Sequence, residues 1–144
     1  MKKTRVDLDP KGPITFEREV AIPTPTGEAL QVCFAFVVRS RVEYAEFVTR
    51  RISRMKVFEE PQAEVLKIEA QPERKPELAD LAAEANKRAA ENILDMARDW
   101  GIEGADFTRE NVVKFCNLYP GAERAIFDDY QTGSLEGRLG NLPT

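Results

Sequence analysis

Residues 100–130 hold the pattern that most narrows the possible folds, because the sequence Tyr119-Pro120-Gly121-Ala122 joins two segments of helical periodicity. Thr108 is suited to begin the first helix, since its hydroxyl can accept a hydrogen bond from an unpaired backbone amide. Pro120 disfavours helical angles at Tyr119 and can itself begin the second helix. Each helix has one apolar face, made of Val112, Phe115, Cys116 and Tyr119 in the first and of Ala122, Ala125, Ile126 and Tyr130 in the second. The segment is therefore predicted to be a helical hairpin that packs into a core.

Aromatic residues on both sides of the first of these helices indicate where the core is densest. We expect one cluster of five apolar side chains: Trp100, Phe107, Phe115, Tyr119 and Ile126. Truncating a large aromatic side chain in such a cluster is expected to destabilise the fold strongly.

The N-terminal half carries the pattern of a β-hairpin followed by a helix. Apolar and polar residues alternate in residues 14–22 and 30–38, and a turn rich in proline and glycine separates them. Both faces of the second strand are apolar, which predicts that it is covered on both sides. Ser40 and Glu43 form a capping box that opens a helix. A hairpin alone is marginally stable, so it must pack on helices or pair with another strand.

The remaining segments complete the predicted organisation, which is a single α+β domain with an N-terminal β-hairpin, about four α-helices and a C-terminal helical hairpin. Residues 56–76 contain three prolines and are either a linker or a short strand at 65–68. Residues 77–100 keep helical spacing and predict one long helix with an alanine-rich middle. The predicted parts are a flexible arm at 1–13, hairpin and helix at 14–55, linker at 56–76, helices at 77–130 and a flexible tail at 131–144.

Residue types exclude most catalytic chemistry. The chain has no histidine, so Ser-His and Cys-His nucleophiles and imidazole metal ligands are absent from it. Cys33 and Cys116 are predicted to be reduced thiols in the core of a cytosolic protein. The acidic residues Glu91, Asp95 and Asp99 recur at helical spacing, but basic residues lie among them. We predict no catalytic residue, no cofactor and no metal site.

Charge and hydropathy limit the possible partners. No apolar run approaches the roughly 20 residues that span a bilayer, so no membrane partner is predicted. Residues 1–56 carry 11 basic and 7 acidic side chains, and the remainder carry 10 and 18. The acidic total disfavours nucleic acid as the main partner. Three arginines of the predicted helix, Arg50, Arg51 and Arg54, are expected to face solvent and to add little stability. They are either a solvated face or a site for an anion or an acidic partner.

The motifs of residues 100–130 resemble one group of tail assembly chaperones of long-tailed bacteriophages or prophages. The residues that carry the resemblance are Trp100, Phe107, Thr108, Glu110, Asn111, the Tyr119–Ala122 sequence, Ala125, Ile126, Tyr130 and Asn141. The N-terminal strand pair and Arg39 are similar too, so the resemblance covers most of the chain. The sequence departs from the pattern at Gly101 and Gly104 after the tryptophan and in its glycine-rich ending.

The resemblance implies a role in binding and assembly rather than catalysis. Such chaperones coat the long tape measure protein, keep it soluble, help recruit tail tube protein and leave before the tail is finished. The implied location is the host bacterial cytoplasm, with no copy in the mature virion; many are also made in a longer frameshifted form. A homo-oligomer is possible, and several copies are expected on one client.

Particular residues are predicted to contact partners. They are Leu81, Ala85, Ala89, Tyr119, Tyr130, Arg50, Arg51 and Arg54. Two other functions stay open at this point. The basic helix over residues 39–56 would suit a small regulatory or antitoxin-like binding protein, and the acidic residues would suit a carboxylate-dependent enzyme.

Overall fold

A computed structural model describes residues 1–12, 14–69 and 77–136, with side chains for all of these except 56–69 and 136. The elements in chain order are β1 (Thr15–Ile22), β2 (Leu30–Val37), α1 (Arg41–Glu69), α2 (Glu77–Met96), β3 (Ala97–Trp100), α3 (Arg109–Leu118) and α4 (Ala122–Gln131), followed by a π-helical turn (Thr132–Glu136). This order confirms the predicted α+β class, with an N-terminal β-hairpin and a C-terminal helical hairpin.

The β1–β2 hairpin lies where alternation predicted strands. The two strands pair antiparallel over eight residues each, starting with Thr15 opposite Val37. Their connection turns at Gly27, which has a φ of +87° and donates its N–H to the carbonyl of Thr24 at 3.1 Å. Glycine adopts this φ without steric cost. The even-numbered residues of the hairpin that face the helices are buried: Val20, Ile22, Val32, Phe34 and Phe36.

The third strand, β3, shows that the prediction of one helix over residues 77–100 is wrong. α2 ends at Met96, and β3 pairs antiparallel with β2, with Trp100 opposite Phe34. The strand order is β1-β2-β3, so β3 occupies the edge of β2 that β1 leaves open. Main-chain hydrogen bonds on that edge outweigh the helical spacing of residues 97–100.

The helix α1 begins at the predicted capping box. The Ser40 N–H donates to a Glu43 carboxylate oxygen at 3.0 Å, and the Glu43 N–H donates to the Ser40 hydroxyl at 3.2 Å. α1 continues to Glu69, so the prediction of a strand at 65–68 is wrong and the predicted linker does not begin at 56. The rest of that linker, residues 70–76, lies outside the described residues, as do residues 137–144 of the predicted tail.

The helical hairpin of α3 and α4 has the predicted caps. The Thr108 hydroxyl accepts a hydrogen bond from the Asn111 N–H at 3.2 Å, so Thr108 caps α3. Tyr119 ends α3 as predicted, and its N–H donates to the Phe115 carbonyl at 2.9 Å. Pro120 lies in the turn rather than in the second helix, which begins at Ala122.

One continuous core joins the inner face of the sheet to the helices. Its largest fully buried helical side chains are Phe47, Ile93, Met96, Val112, Ile126 and Tyr130. Among the described residues, no helix is long and apolar enough to cross a membrane.

The outer face of the sheet carries mainly acidic and small residues, and much of it is exposed. Glu17, Glu19 and Cys33 are exposed there. The predictions that residues 30–38 are covered on both faces and that Cys33 is a core thiol are therefore wrong at Cys33. Cys116 is buried, as predicted. The difference arises because the described helices pack against the even-numbered face, where the large apolar side chains lie.

Candidate functional site

An apolar groove of about 440 Å³, here called the α3–sheet groove, runs between the start of β2, the loop after β3 and the C-terminal half of α3. Its apolar lining residues are Leu30, Val32, Trp100, Ile102, Ala105, Phe115, Leu118 and Tyr119. Polar groups at the same groove come from Gln31, Glu103, Asn111 and Lys114. The groove is therefore mainly apolar, with charged groups of both signs beside it.

Trp100 lies in the wall of this groove and is held in one orientation. Its indole N–H donates to the Ala105 carbonyl at 2.8 Å, which also fixes the loop that forms one side of the groove. The indole lies 5.3 Å from the Phe107 ring and 5.2 Å from the Phe115 ring, between ring centroids. The aromatic part of the predicted cluster is confirmed, and Ile126 belongs to the same core.

Leu118 and Tyr119 give the groove its accessible apolar surface. Leu118 is 64% exposed at the end of α3. The half-buried Tyr119 ring lies 5.0 Å from that of Phe115. A partner that enters the groove would therefore bury apolar surface that solvent contacts in the isolated chain.

A second groove of about 310 Å³, here called the α2–α4 groove, lies on another side of α3. Ala85 and Ala89 line it, and Leu81 is half-buried one turn earlier on α2. Its other lining residues are Arg51, Met55, Asn86, Asn92, Cys116, Pro120, Glu123 and Arg124. The structure thus places Ala85 and Ala89 in one groove and Tyr119 in the other.

Arg51 is not the solvent-facing residue that the sequence predicted. Its side chain is 8% exposed and forms two hydrogen bonds to the Glu123 carboxylate, at 3.0 and 2.7 Å. Its guanidinium carbon lies 3.6 Å from the centroid of the Phe127 ring. Asn92, also buried, donates to Glu123 at 3.0 Å. Arg51 is buried because it pairs with Glu123 on α4, since a buried guanidinium requires a charged partner.

Asp95 on α2 forms ion pairs with three arginines. Two of them are Arg50 and Arg54, so these pairs explain the positions of the other two arginines that the sequence predicts to face solvent. Arg50 and Arg54 bind Asp95 at 2.9 and 3.1 Å, and Arg39 binds it at 2.8 Å. Arg54 is 24% exposed, so the expected solvent position is wrong for Arg54 too, whereas Arg50 is 42% exposed. Burial raises the pKa of Asp95, but hydrogen bonds from Arg50 and Arg54 outweigh it and hold the pKa below its usual value.

Tyr130 is fully buried, so the structure contradicts its prediction as a partner contact on the surface. Its hydroxyl donates to the Val37 carbonyl at 2.8 Å and accepts a hydrogen bond from Arg39 at 2.9 Å. Both hydrogen-bonding roles of the phenol are therefore used inside the fold. The same apolar stripe that marked α4 as a core helix accounts for this position.

The acidic residues proposed as a rival site do not share one face. Glu91 pairs with Arg109, Asp95 is bound by arginines, and Asp99 is exposed on β3. In the part of the chain that the structure describes, no group of three or more metal-ligating residues is placed to hold an ion. Burial and then the Glu123 charge raise the pKa of the Cys116 thiol to about 12, which disfavours a thiolate nucleophile.

Sequence reasoning missed most of the α3–sheet groove. Leu118 lies beside the apolar face of α3, and its neighbours Leu30 and Ile102 come from distant segments. The sequence shows a leucine, Leu118, off the apolar face of a short helix and next to Tyr119. This position suggests a contact residue, but it does not indicate which other segments form the groove.

A comparison with protein-family models identifies a family for the chain. The sequence model for phage tail assembly chaperones matches residues 1–141 of the 144 residues. Comparisons with curated proteins and with solved structures each found no match. The family match spans the sheet, the helical hairpin and both grooves, and so covers nearly the whole chain. The chain therefore belongs to the phage tail assembly chaperone family.

Proposed function

We propose that this chaperone binds the tape measure protein of its phage, keeps it soluble and helps recruit tail tube subunits. The proposed client is long and helical, and it is bound before the tail is completed. The chaperone then acts in the host bacterial cytoplasm and is absent from the mature virion. Family membership supports an assembly role, and the α3–sheet groove supports a binding mechanism for it.

The observation that carries the proposal is the apolar α3–sheet groove with Leu118 exposed beside it. An amphipathic helix binds by laying its apolar face into such a groove, with contacts spaced by three or four residues. A groove of about 440 Å³ has room for a few apolar side chains of the client. Trp100 and Phe115 are fixed by the core, so the groove is already formed before a client arrives.

The α2–α4 groove is a weaker candidate for the main client contact. It is smaller, and the Arg51–Glu123 pair lines it. Ala85 and Ala89 allow close approach of a second helix, so we propose them, with Leu81, as a secondary contact. Arg50, the most exposed of the three arginines, is the one best placed to meet an acidic client residue.

The small area of each groove favours reversible binding, with several chaperone copies on one client. One groove covers only a short length of a long client, so many chaperones are needed to cover it. Each individual contact is expected to be modest in affinity, which permits tube subunits to displace the chaperone later. Exposed apolar surface on the client is protected in the meantime.

A substitution in the groove tests the proposal. Leu118→Lys places a charge at the groove without removing a core side chain, and a cation at the C-terminal end of α3 is compatible with the helix dipole. We expect the variant to remain folded and to lose most of its binding to the tape measure protein. The measurement is co-purification of tagged chaperone variants with the tape measure protein of the same phage.

The matched control is Leu135→Lys. Leu135 is 58% exposed, has the same side chain and undergoes the same change in charge, but it does not line the α3–sheet groove. Binding is expected to survive in this variant. Equal binding by the two folded variants would contradict the placement of the client in the α3–sheet groove.

A further inference from the structure

Within the described residues, one edge of the sheet has no partner strand, because β1 pairs only with β2; this edge is here called the open edge of β1. The Val38 N–H donates to the Ile14 carbonyl at 2.8 Å, so this pair is of the hydrogen-bonded type. In an antiparallel pair, hydrogen-bonded and non-hydrogen-bonded positions alternate along the strand. The even-numbered residues of β1 therefore bond to β2, and the backbone N–H and C=O groups of the odd-numbered residues point away from it. These residues are Thr15, Glu17, Glu19 and Ala21, and all four are exposed.

The two sides of this open edge differ in chemistry. On the outer face of the sheet, Glu17 and Glu19 present two carboxylates two positions apart along the strand. On the inner side, Phe16 is half-buried and Ile14 is 48% exposed. A strand added at this edge would need basic residues on one side and apolar residues on the other.

Residues 3–8 of the chain carry this pattern and pack against nothing in the structure. Lys3 and Arg5 fall on one side of an extended segment, and Val6 and Leu8 fall on the other. Residues 1–12 are all exposed, with Leu8 at 85% and Val6 at 66%. In an extended conformation, this alternating segment could bury Val6 and Leu8 by pairing with the edge of a sheet.

We propose that residues 3–8 of a second copy of this chain add to the open edge of β1 as an antiparallel strand. In one register, Arg5 lies opposite Glu17 and Lys3 lies opposite Glu19. The same register places Val6 opposite Phe16 and Leu8 opposite Ile14. A shift by two residues in one direction sets Asp7 against Glu17, and in the other direction it sets Met1 against Glu19, which then has no basic partner. A shift by one residue moves the charges to the apolar side. Charge and hydropathy therefore select a single register.

The structure favours a second copy over the chain's own arm. Five residues, 9–13, separate the arm from Ile14, and a connection of that length can close a hairpin. In the structure, however, residues 1–12 are all exposed, and β2 is the one described strand that pairs with β1. Asp7 accepts a hydrogen bond from the Asp9 N–H at 3.0 Å, which forms a local turn after the arm. The arm of the same chain therefore leaves this edge to the arm of a second copy.

Charge reversal tests the pairing. The arm variant carries Lys3→Glu and Arg5→Glu, and the edge variant carries Glu17→Lys and Glu19→Lys. The measurement is molar mass by light scattering over a wide range of concentration at low salt. We expect the unmodified chain to associate as concentration rises, each variant alone to stay monomeric, and an equimolar mixture to associate again, because the reversed charges attract.

Two controls keep the result specific. Lys87→Glu with Lys114→Glu makes the same change in net charge as the arm variant, at exposed sites away from β1, and this variant should associate like the unmodified chain. For direct proof, Arg5→Cys in one chain and Glu17→Cys in another, both with Cys33→Ser, should form a disulfide-linked dimer under mild oxidation. An unmodified chain that stays monomeric throughout, or a mixture that stays monomeric, would overturn the proposal. So would a cross-link that forms only within one chain carrying both cysteines.

The failure of this pairing is distinguishable from failure of the proposed client binding. The edge variants leave the α3–sheet groove untouched, and Leu118→Lys leaves the edge of β1 untouched. Self-association and tape measure binding are therefore expected to be lost in different variants.

Discussion

Arg51→Gln is expected to lower the free energy of unfolding by about 3–5 kcal/mol, because removing one member of a buried ion pair leaves the other charge unpaired. Of its hydrogen bonds to the described side chains, Glu123 would keep the one from Asn92. The Phe127 ring would also lose the guanidinium that lies over it. Equilibrium denaturation followed by far-UV circular dichroism measures the change.

Arg50→Gln is the matched control for this prediction, since it makes the same change at the neighbouring residue. Arg50 is 42% exposed, and Asp95 keeps two other arginines, so the expected cost is about 1 kcal/mol or less. The double variant Arg51→Gln with Glu123→Gln should cost clearly less than the sum of the two single changes. Equal stability of the Arg50 and Arg51 variants would contradict the buried pair.

Trp100→Ala is expected to cost about 3–5 kcal/mol, the range for truncating a large aromatic residue in a core. The side chain is 7% exposed, and it contacts the rings of Phe34, Phe107 and Phe115. The hydrogen bond to Ala105 would also be lost. A folded fraction of this variant should bind the tape measure protein poorly, because Trp100 forms part of the α3–sheet groove.

Trp100→Phe separates packing from hydrogen bonding. Phenylalanine keeps an aromatic ring among its neighbours but leaves the Ala105 carbonyl without its indole donor, at a cost of about 1–3 kcal/mol. Denaturation is followed by circular dichroism, because Trp100 is the chain's single tryptophan and its fluorescence disappears in both variants. An alanine variant as stable as the unmodified chain would show that Trp100 lies outside the core.

The parts of the fold that sequence predicted are those encoded by neighbouring residues. Alternation located β1 and β2, and the capping residues Ser40 and Thr108 located the starts of α1 and α3. Pro120 located the bend between α3 and α4. Each of these signals acts within a few residues, so it can be read without knowledge of the tertiary structure.

The parts that sequence missed depend on distant residues. Residues 97–100 have helical spacing, and only the open edge of β2 makes them a strand. Arg51 resembles its exposed neighbours on α1 until Glu123 is placed beside it, 72 positions later in the chain. The local sequence pattern predicts whether a segment is a helix or a strand. Whether a charged side chain is exposed or buried depends on which other elements pack against it.

The candidate site shows the same division. The sequence predicts Tyr119 as a contact residue, and Tyr119 lines the α3–sheet groove. Tyr130 is predicted in the same way but is buried, because the apolar stripe of α4 faces the sheet. Aromatic residues alone do not distinguish a groove from a core. Tyr119 lines a groove because the loop after β3 does not cover that side of α3, and no other described element covers it.

The most direct test of the central claim is the soluble yield of the tape measure protein of the same phage, expressed with and without this chain. The account predicts that the tape measure protein is insoluble alone and that co-expression gives a soluble complex containing several chaperone copies. Expression with the Leu118→Lys variant should give little of that complex, and expression with Leu135→Lys should give the full amount. Equal tape measure solubility with and without the chain, and no co-purification, would contradict the account.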